Sequence, residues 1–168
     1  MGLTQMREEE KLARDVYTTL GEKWDMNVFK NIAKSEQTHT DTIKVLIERY
    51  GIDDPVTDDT VGVFSLPAMQ SAYNEFVATG NKSLVDALIV GAMIEDLDIQ
   101  DLENFKRDVD NEDILIAYEN LQKGSRNHLR AFIKNLERQG GGYEAKYMSA
   151  EMFTEIIEGA QERGPASK

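Results

Sequence analysis

Residues 28–50 read Val28-Phe-Lys-Asn-Ile-Ala-Lys-Ser-Glu-Gln-Thr-His-Thr-Asp-Thr-Ile-Lys-Val-Leu-Ile-Glu-Arg-Tyr50, an apolar helical stripe with a Glu-x-x-His pair at its centre. The stripe advances in steps of three and four residues, so Glu36 and His39 share one helix face with the apolar positions. Burying such groups without compensation is costly. The pair therefore suggests a site in which a bound group, such as a metal ion, compensates the buried charge.

Three further stripes carry polar residues near their centres. Their members are Met6, Glu10, Ala13, Tyr17 and Leu20; then Leu84, Leu88, Gly91, Glu95, Asp98, Leu102, Phe105 and Val109; then Ile114, Tyr118, Leu121, Ser125, His128 and Phe132. Each face is expected to point into a helical core. The polar members resemble the ligand set of a metal site: Glu10, Glu36, His39, Glu95, Asp98 and His128. The acidic residues off these stripes are predicted to lie at the surface: Glu8, Glu9, Asp96 and Glu103.

Composition limits both the class of protein and the kind of metal site. The chain has 168 residues, 40% of them hydrophobic and 30% charged, which predicts one soluble domain. A net charge of −12 argues against binding to nucleic acid or to an anionic membrane. Cysteine is absent, so a metal would be held by carboxylate and imidazole groups, which suit iron, manganese or zinc. With no signal-peptide pattern and no long apolar run, we expect a cytoplasmic protein.

The pattern of caps and glycines predicts an all-α fold. The predicted helices cover residues 4–20, 26–50, 66–79, 83–108, 112–138 and 149–159. Gly21 and Gly51 are expected to end the first two, and Ser83 with Asp86 to start the fourth as a capping box. Two tight hairpins separated by the long connection 51–82 are typical of a ferritin-like antiparallel four-helix bundle with one long crossover, here followed by a short C-terminal helix. The domain is predicted to span residues 1–168, with its core bundle in 4–139 and the C-terminal helix at 149–159.

Several of these segments resemble the rubrerythrin branch of the ferritin-like superfamily. The segment Glu10–Tyr17 looks like that family's Glu-x-x-Ala-Arg-x-x-Tyr pattern, and Glu36–His39 is similar to its second-helix motif. Glu95–Asp98 stands where rubrerythrins have Glu-x-x-Glu. The opening Met6-Arg-Glu-Glu-Glu-Lys-Leu-Ala-Arg-Asp-Val-Tyr17 looks closer still to an uncharacterised ferritin-like family without the rubredoxin module.

The resemblance implies a dinuclear iron or manganese site, with zinc as a substitute metal. One metal would be held by Glu10, Glu36, His39 and Glu95, and the other by Glu36, Glu95, Asp98 and His128, with Glu36 and Glu95 bridging. It also implies a non-haem di-iron oxidase or peroxidase acting on dioxygen or peroxide. Without a Cys-rich module, the enzyme would need an external electron donor. Arg14 would be a charge partner of Glu10. Tyr17 would be a catalytic hydrogen-bond or radical donor, the alternative being a core aromatic.

One departure from the family pattern keeps other functions open. Ser125 stands where the fourth helix should carry a ligating glutamate. The alternatives are therefore a metal-binding or iron-sequestering protein without turnover, or a ferritin-like scaffold with a degraded site. A structural network of buried His–Glu pairs and an adaptor helical bundle are further alternatives. The last helix, 149–159, is expected to pack on the bundle or on the second subunit of a homodimer.

Overall fold

The described part of the protein is built from α-helices. The computed structural model describes residues 2–164, in which no β-strand is found. The helices are α1 (Gly2–Trp24), α2 (Asn27–Arg49), α3 (Pro67–Gly80), α4 (Leu84–Arg107), α5 (Glu112–Arg138) and α6 (Ala150–Glu158). This confirms the predicted all-α class for residues 2–164. None of these helices has both the length and the apolar character needed to cross a bilayer.

The chain divides into two compact units within α4. The first is Met1–Ala87 and the second is Leu88–Lys168. The first residue and residues 165–168 of the predicted domain lie outside the described residues. The ferritin-like arrangement of the helices and the single domain remain predictions.

The first unit is organised around the hairpin of α1 and α2, with α3 also packed on α1. Gly21 was predicted to end α1, but the helix continues to Trp24. A Cβ atom at Gly21 would lie 3.1 Å from the Cβ atom of Phe29, so this glycine permits the close approach of the two helices. The turn is made instead at Asp25, whose φ of 50° lies in the left-handed region. Gly51, with a φ of 63°, follows α2 as the sequence predicted.

The connection from α2 to α3 is bound to α1 by buried cations. Arg7 binds the Asp54 carboxylate, Lys11 donates to the carbonyl oxygens of Thr60 and Val63, and Arg14 binds Asp59. Lys11 also pairs with the buried Asp15 carboxylate at 2.6 Å and lies 4.2 Å from the centre of the Phe64 ring. The acidic residues Asp54 and Asp59 of this connection are therefore counter-ions of α1.

A consequence of this packing is that α1 has no solvated face along its middle. Every residue from Met6 to Tyr17 is buried. The prediction that Glu8 and Glu9 lie at the surface is therefore wrong, because they are only 1% and 5% exposed. Periodicity identified the face that carries Glu10, but it could not show that the opposite face is covered as well.

The second unit contains most of α4 together with α5 and α6. The capping box before α4 is confirmed, since the Asp86 amide donates to Ser83 Oγ at 3.0 Å. Ser149 caps α6 in the same way, by accepting from the Met152 amide. Asp96 was predicted at the surface but is fully buried. Its carboxylate accepts hydrogen bonds from the Tyr143 hydroxyl and from the amides of Lys146, Tyr147 and Met148. Asp96 therefore holds the connection between α5 and α6 against α4.

Candidate metal centre

The first unit brings three of the predicted ligands together. Glu10 lies on α1, and Glu36 and His39 lie one turn apart on the facing side of α2. His39 Nδ1 is 3.1 Å from Glu10 Oε2 and 2.7 Å from Glu36 Oε2. Each residue offers one ligand atom, and these three atoms lie within 4.8 Å of one another. The three residues form what we call the α1–α2 cluster.

Burial governs the electrostatics of this cluster. Glu10 is completely buried, and burial raises its pKa to about 8, although the neighbouring His39 opposes that shift. Burial alone would lower the pKa of His39, but the carboxylates of Glu10 and Glu36 outweigh it and raise that pKa well above its ordinary value. In the absence of a metal, the cluster therefore retains protons near neutral pH. A metal ion would have to displace them.

The donor set of the α1–α2 cluster fits a transition metal. It consists of carboxylate oxygens and one imidazole nitrogen, which suit iron, manganese and zinc. Glu10 Oε1 is buried and makes no hydrogen bond to any described residue. Buried acceptors are normally satisfied, so this oxygen is one that a cation would complete.

The second unit brings two further predicted ligands together. His128 Nδ1 on α5 lies 3.5 Å from Glu95 Oε1 on α4. Asp98 lies one turn beyond Glu95 and is 2% exposed, while Glu95 is fully buried and His128 is 9% exposed. We call Glu95, Asp98 and His128 the α4–α5 cluster. Like the α1–α2 cluster, it combines buried carboxylates with one imidazole.

Ser125 lies on α5 one turn before His128, at the position where the rubrerythrin motif has a glutamate. It is 1% exposed, and its hydroxyl donates to the Leu121 carbonyl at 3.2 Å. Such a bond to the preceding turn is common for serine inside a helix. The hydroxyl is thus engaged with its own helix, and this position adds no carboxylate.

The sequence predicted supporting roles for Arg14 and Tyr17, and the structure bears on the two predictions differently. Arg14 was predicted to be a charge partner of Glu10. Its guanidinium instead donates to Asp15, Gln37 and Asp59, with no hydrogen bond to Glu10 among the described residues. Tyr17 is fully buried, with its ring centre 6.4 Å from that of Phe29. Its catalytic role remains a prediction.

Sequence reasoning missed the buried charges on α1, the helix that carries Glu10. Arg7, Lys11 and Asp15 are all buried on α1, and Arg7 donates to the Thr40 hydroxyl, beside His39 in the sequence. One signal was present: Lys11 and Asp15 are spaced i,i+4, the spacing of a helical ion pair. Nothing in the sequence, however, indicates that the pair is buried.

The fold and the clusters define an all-helical protein whose buried carboxylate and histidine groups could hold a metal ion. Residues 1–160 match the family described as "Uncharacterized protein domain (DUF2202)". The chain belongs to that family.

Comparisons with individual proteins agree with this assignment. The chain is 58% identical over 163 residues to "Uncharacterized protein MJ0754" of Methanocaldococcus jannaschii, covering 97% of this chain and 88% of that protein. It is also similar to the crystal structure of hypothetical protein MJ0754 from the same organism, there named Methanococcus jannaschii, with a TM-score of 0.94 and 57% identity. That match covers 96% of this chain and 92% of the solved one.

Proposed function

We propose that the protein is a dinuclear metal carboxylate protein of ferritin-like architecture. Six residues would hold two iron or manganese ions, with zinc as a substitute: Glu10, Glu36, His39, Glu95, Asp98 and His128. The observation that supports this best is the α1–α2 cluster, in which one imidazole nitrogen lies within 3.1 Å of two buried carboxylates. A buried group of this kind without a cation is expensive, because each ionised carboxylate loses its hydration.

We infer that the protein is an oxidoreductase that acts on dioxygen or peroxide. A pair of such metal ions, when bound, would supply redox chemistry towards these small molecules. The contribution of the chain would be to orient the ligands and to exclude water, since Glu10, Glu36 and Tyr17 are at most 1% exposed. Tyr17 is proposed as a hydrogen-bond or electron donor. An external electron donor is needed for reductase activity, because the chain contains no cysteine to hold a rubredoxin-type iron.

Metal analysis tests the metal centre. Protein loaded anaerobically with Fe(II) or Mn(II) and then desalted should retain about two metal ions per chain by plasma mass spectrometry. Glu36→Gln should reduce this content, and Glu48→Gln, an exposed change on the same helix, should leave it unaltered. Wild-type protein without bound metal after loading would refute the proposal. Peroxide and dioxygen consumption by the loaded protein then test the reaction class.

Metal binding without turnover is the second candidate, and Ser125 is the observation that favours it. Because Ser125 carries no carboxylate, the α4–α5 cluster has fewer anionic ligands than the corresponding rubrerythrin motifs provide. Retained metal with no consumption of peroxide or dioxygen, in the presence of a chemical reductant, would favour this candidate. Size-exclusion chromatography with light scattering would then separate a homodimer from a closed iron-storage shell.

A further inference from the structure

A groove between α1 and α2 is not part of the α1–α2 cluster. It has a volume of about 620 Å³ and lies wholly within the first unit. Its apolar lining comes from the buried Tyr17 and Gly21 on α1, Ala33 on α2, and Val61 of the following connection. Cavities of roughly 300–1,000 Å³ with mostly apolar walls are the usual size of small-molecule sites.

The charged residues of this groove are unusual for so acidic a chain. Three cations, Arg14, Lys30 and Lys34, line it together with only two carboxylates, Glu22 and Asp59. The chain as a whole carries a net charge of −12. The lining residues thus include one more cation than carboxylate, although Arg14 and Lys30 also pair with Asp15 and Asp25 outside the lining.

The two lysines are the cations that remain available to a ligand. Lys34 is exposed, and its ammonium group makes no hydrogen bond or ion pair with any described residue. Among the described residues, Lys30 pairs only with Asp25, and both side chains are exposed, at 47% and 85%. Exposed pairs of this kind contribute little and exchange readily. The lysines are spaced i,i+4, so they lie on one face of α2 and can approach one anionic group together.

We propose that this groove binds a small amphipathic anion. An aromatic or alkyl body would lie against Ala33 and Val61, above the buried Tyr17, and a carboxylate, sulfonate or phosphate would be held by Lys30 and Lys34. None of the residues that line the groove is a proposed metal ligand, so the site would form in the metal-free protein.

The probe for this proposal is anilinonaphthalene sulfonate, which combines an aromatic body with one anionic group. Metal-free protein kept in chelator should bind it saturably, at one site per chain, with a blue-shifted fluorescence. Amide chemical-shift changes should concentrate at Gly21, Ala33 and Lys34. Phenylnaphthylamine, the same body without the sulfonate, should bind more weakly. Equal affinity for the two probes would refute the anionic part of the proposal.

Two variants locate the site. Lys34→Glu should weaken binding of the sulfonate about threefold to tenfold, as expected for reversing one exposed charge at the ligand. Lys44→Glu makes the same charge change on the same helix outside the groove, and should have little effect. Equal weakening by both variants would show general charge repulsion and overturn the proposal.

Ala33→Phe fills the groove and should abolish binding of both probes. Near-ultraviolet circular dichroism must match the wild type, because unfolded surface also binds the probe. Unchanged binding in a folded Ala33→Phe variant would place the probe elsewhere and refute the assignment. Because every titration is done in chelator, failure here leaves the metal proposal untouched, and failure of metal loading leaves this one untouched.

Discussion

The two carboxylate–histidine clusters hold their imidazoles at different distances from carboxylate oxygens. In the α1–α2 cluster, His39 Nδ1 lies 2.7 Å and 3.1 Å from oxygens of two different glutamates. In the α4–α5 cluster, His128 Nδ1 lies 3.5 Å from one oxygen of Glu95. On the same helix as His128, Ser125 stands where the rubrerythrin motif has a glutamate. Its hydroxyl donates a hydrogen bond to the Leu121 carbonyl oxygen. The α1–α2 cluster therefore resembles a complete metal-ligand set more closely than the α4–α5 cluster does.

This difference indicates an order of metal binding. Ligand atoms that already lie close together need less rearrangement to bind one metal ion. We therefore expect the first metal ion to bind at the α1–α2 cluster and the second, more weakly, to depend on the α4–α5 cluster. The predictions below test that order.

The largest effect is expected from removing an imidazole. His39→Ala should lower the affinity for the first metal ion by about 100-fold or more, since even changes to groups behind a ligand cost about 10–100-fold. His128→Ala should mainly lower the affinity for the second ion. Stepwise Mn(II) titration followed by electron paramagnetic resonance measures both. The order is wrong if His128→Ala removes the tighter site and His39→Ala spares it.

A pH dependence follows from the raised pKa of Glu10, which is about 8. Below that pH, the metal must displace a proton, so the affinity of the α1–α2 cluster should rise by about tenfold per pH unit for each proton displaced. The part of this rise that comes from Glu10 should end as the pH passes about 8, while a proton still held by His39, whose pKa is also raised, must be displaced as well. Calorimetry in buffers of different ionisation enthalpy counts the released protons. Binding without proton release at pH 7 would contradict the assignment.

Ser125→Glu should bring the two clusters closer in affinity. Restoring a carboxylate beside His128 should raise the affinity for the second metal ion by about tenfold. In metal-free protein, the same change should lower the free energy of unfolding by about 3–5 kcal/mol, because the new charge is buried without compensation. Thermal unfolding with and without Mn(II) measures both effects. Ser125→Gln is the matched control, and a similar gain in affinity from glutamine would show that charge is not the cause.

The smallest effect is expected at Arg14. Its guanidinium is bound to Asp15, Gln37 and Asp59, with no hydrogen bond to Glu10 among the described residues. Arg14→Gln should therefore change the affinity for the first metal ion by less than about threefold, while lowering the melting temperature. A loss of affinity comparable to that of His39→Ala would indicate that Arg14 is, after all, a charge partner of Glu10.

The sequence predicted those features that depend on local chemistry. Gly51 and Ser83 end and begin helices for reasons of backbone angle and capping that involve only a few neighbouring residues. The burial of Glu36 and His39 was predicted because they interrupt an otherwise apolar stripe. The sequence also predicted that Glu10 would belong to the same ligand set as Glu36 and His39. Its carboxylate does lie within hydrogen-bonding distance of His39.

Features that depend on distant contacts were not predictable in this way. Asp96 is buried because residues 143–148 fold over it, and no pattern in α4 records that contact. Gly21 was predicted to end α1, since glycine often ends a helix near a turn, but it lies within the helix, where a Cβ atom would come close to Phe29. Glu8 falls off the apolar stripe of α1, and only the structure shows that its face is covered.

The burial of α1 from Met6 to Tyr17 also limits how this segment can vary. Most helices of a globular protein offer an outer face where substitutions are nearly neutral. In a saturation mutagenesis screen for folded protein, α1 should instead tolerate few changes at any of these positions, whether the residue is charged or apolar. The exposed positions of α2, such as Lys44 and Glu48, should accept most residues. The composition of residues 6–17 is that of a solvated helix, but their tolerance to substitution should be that of core residues.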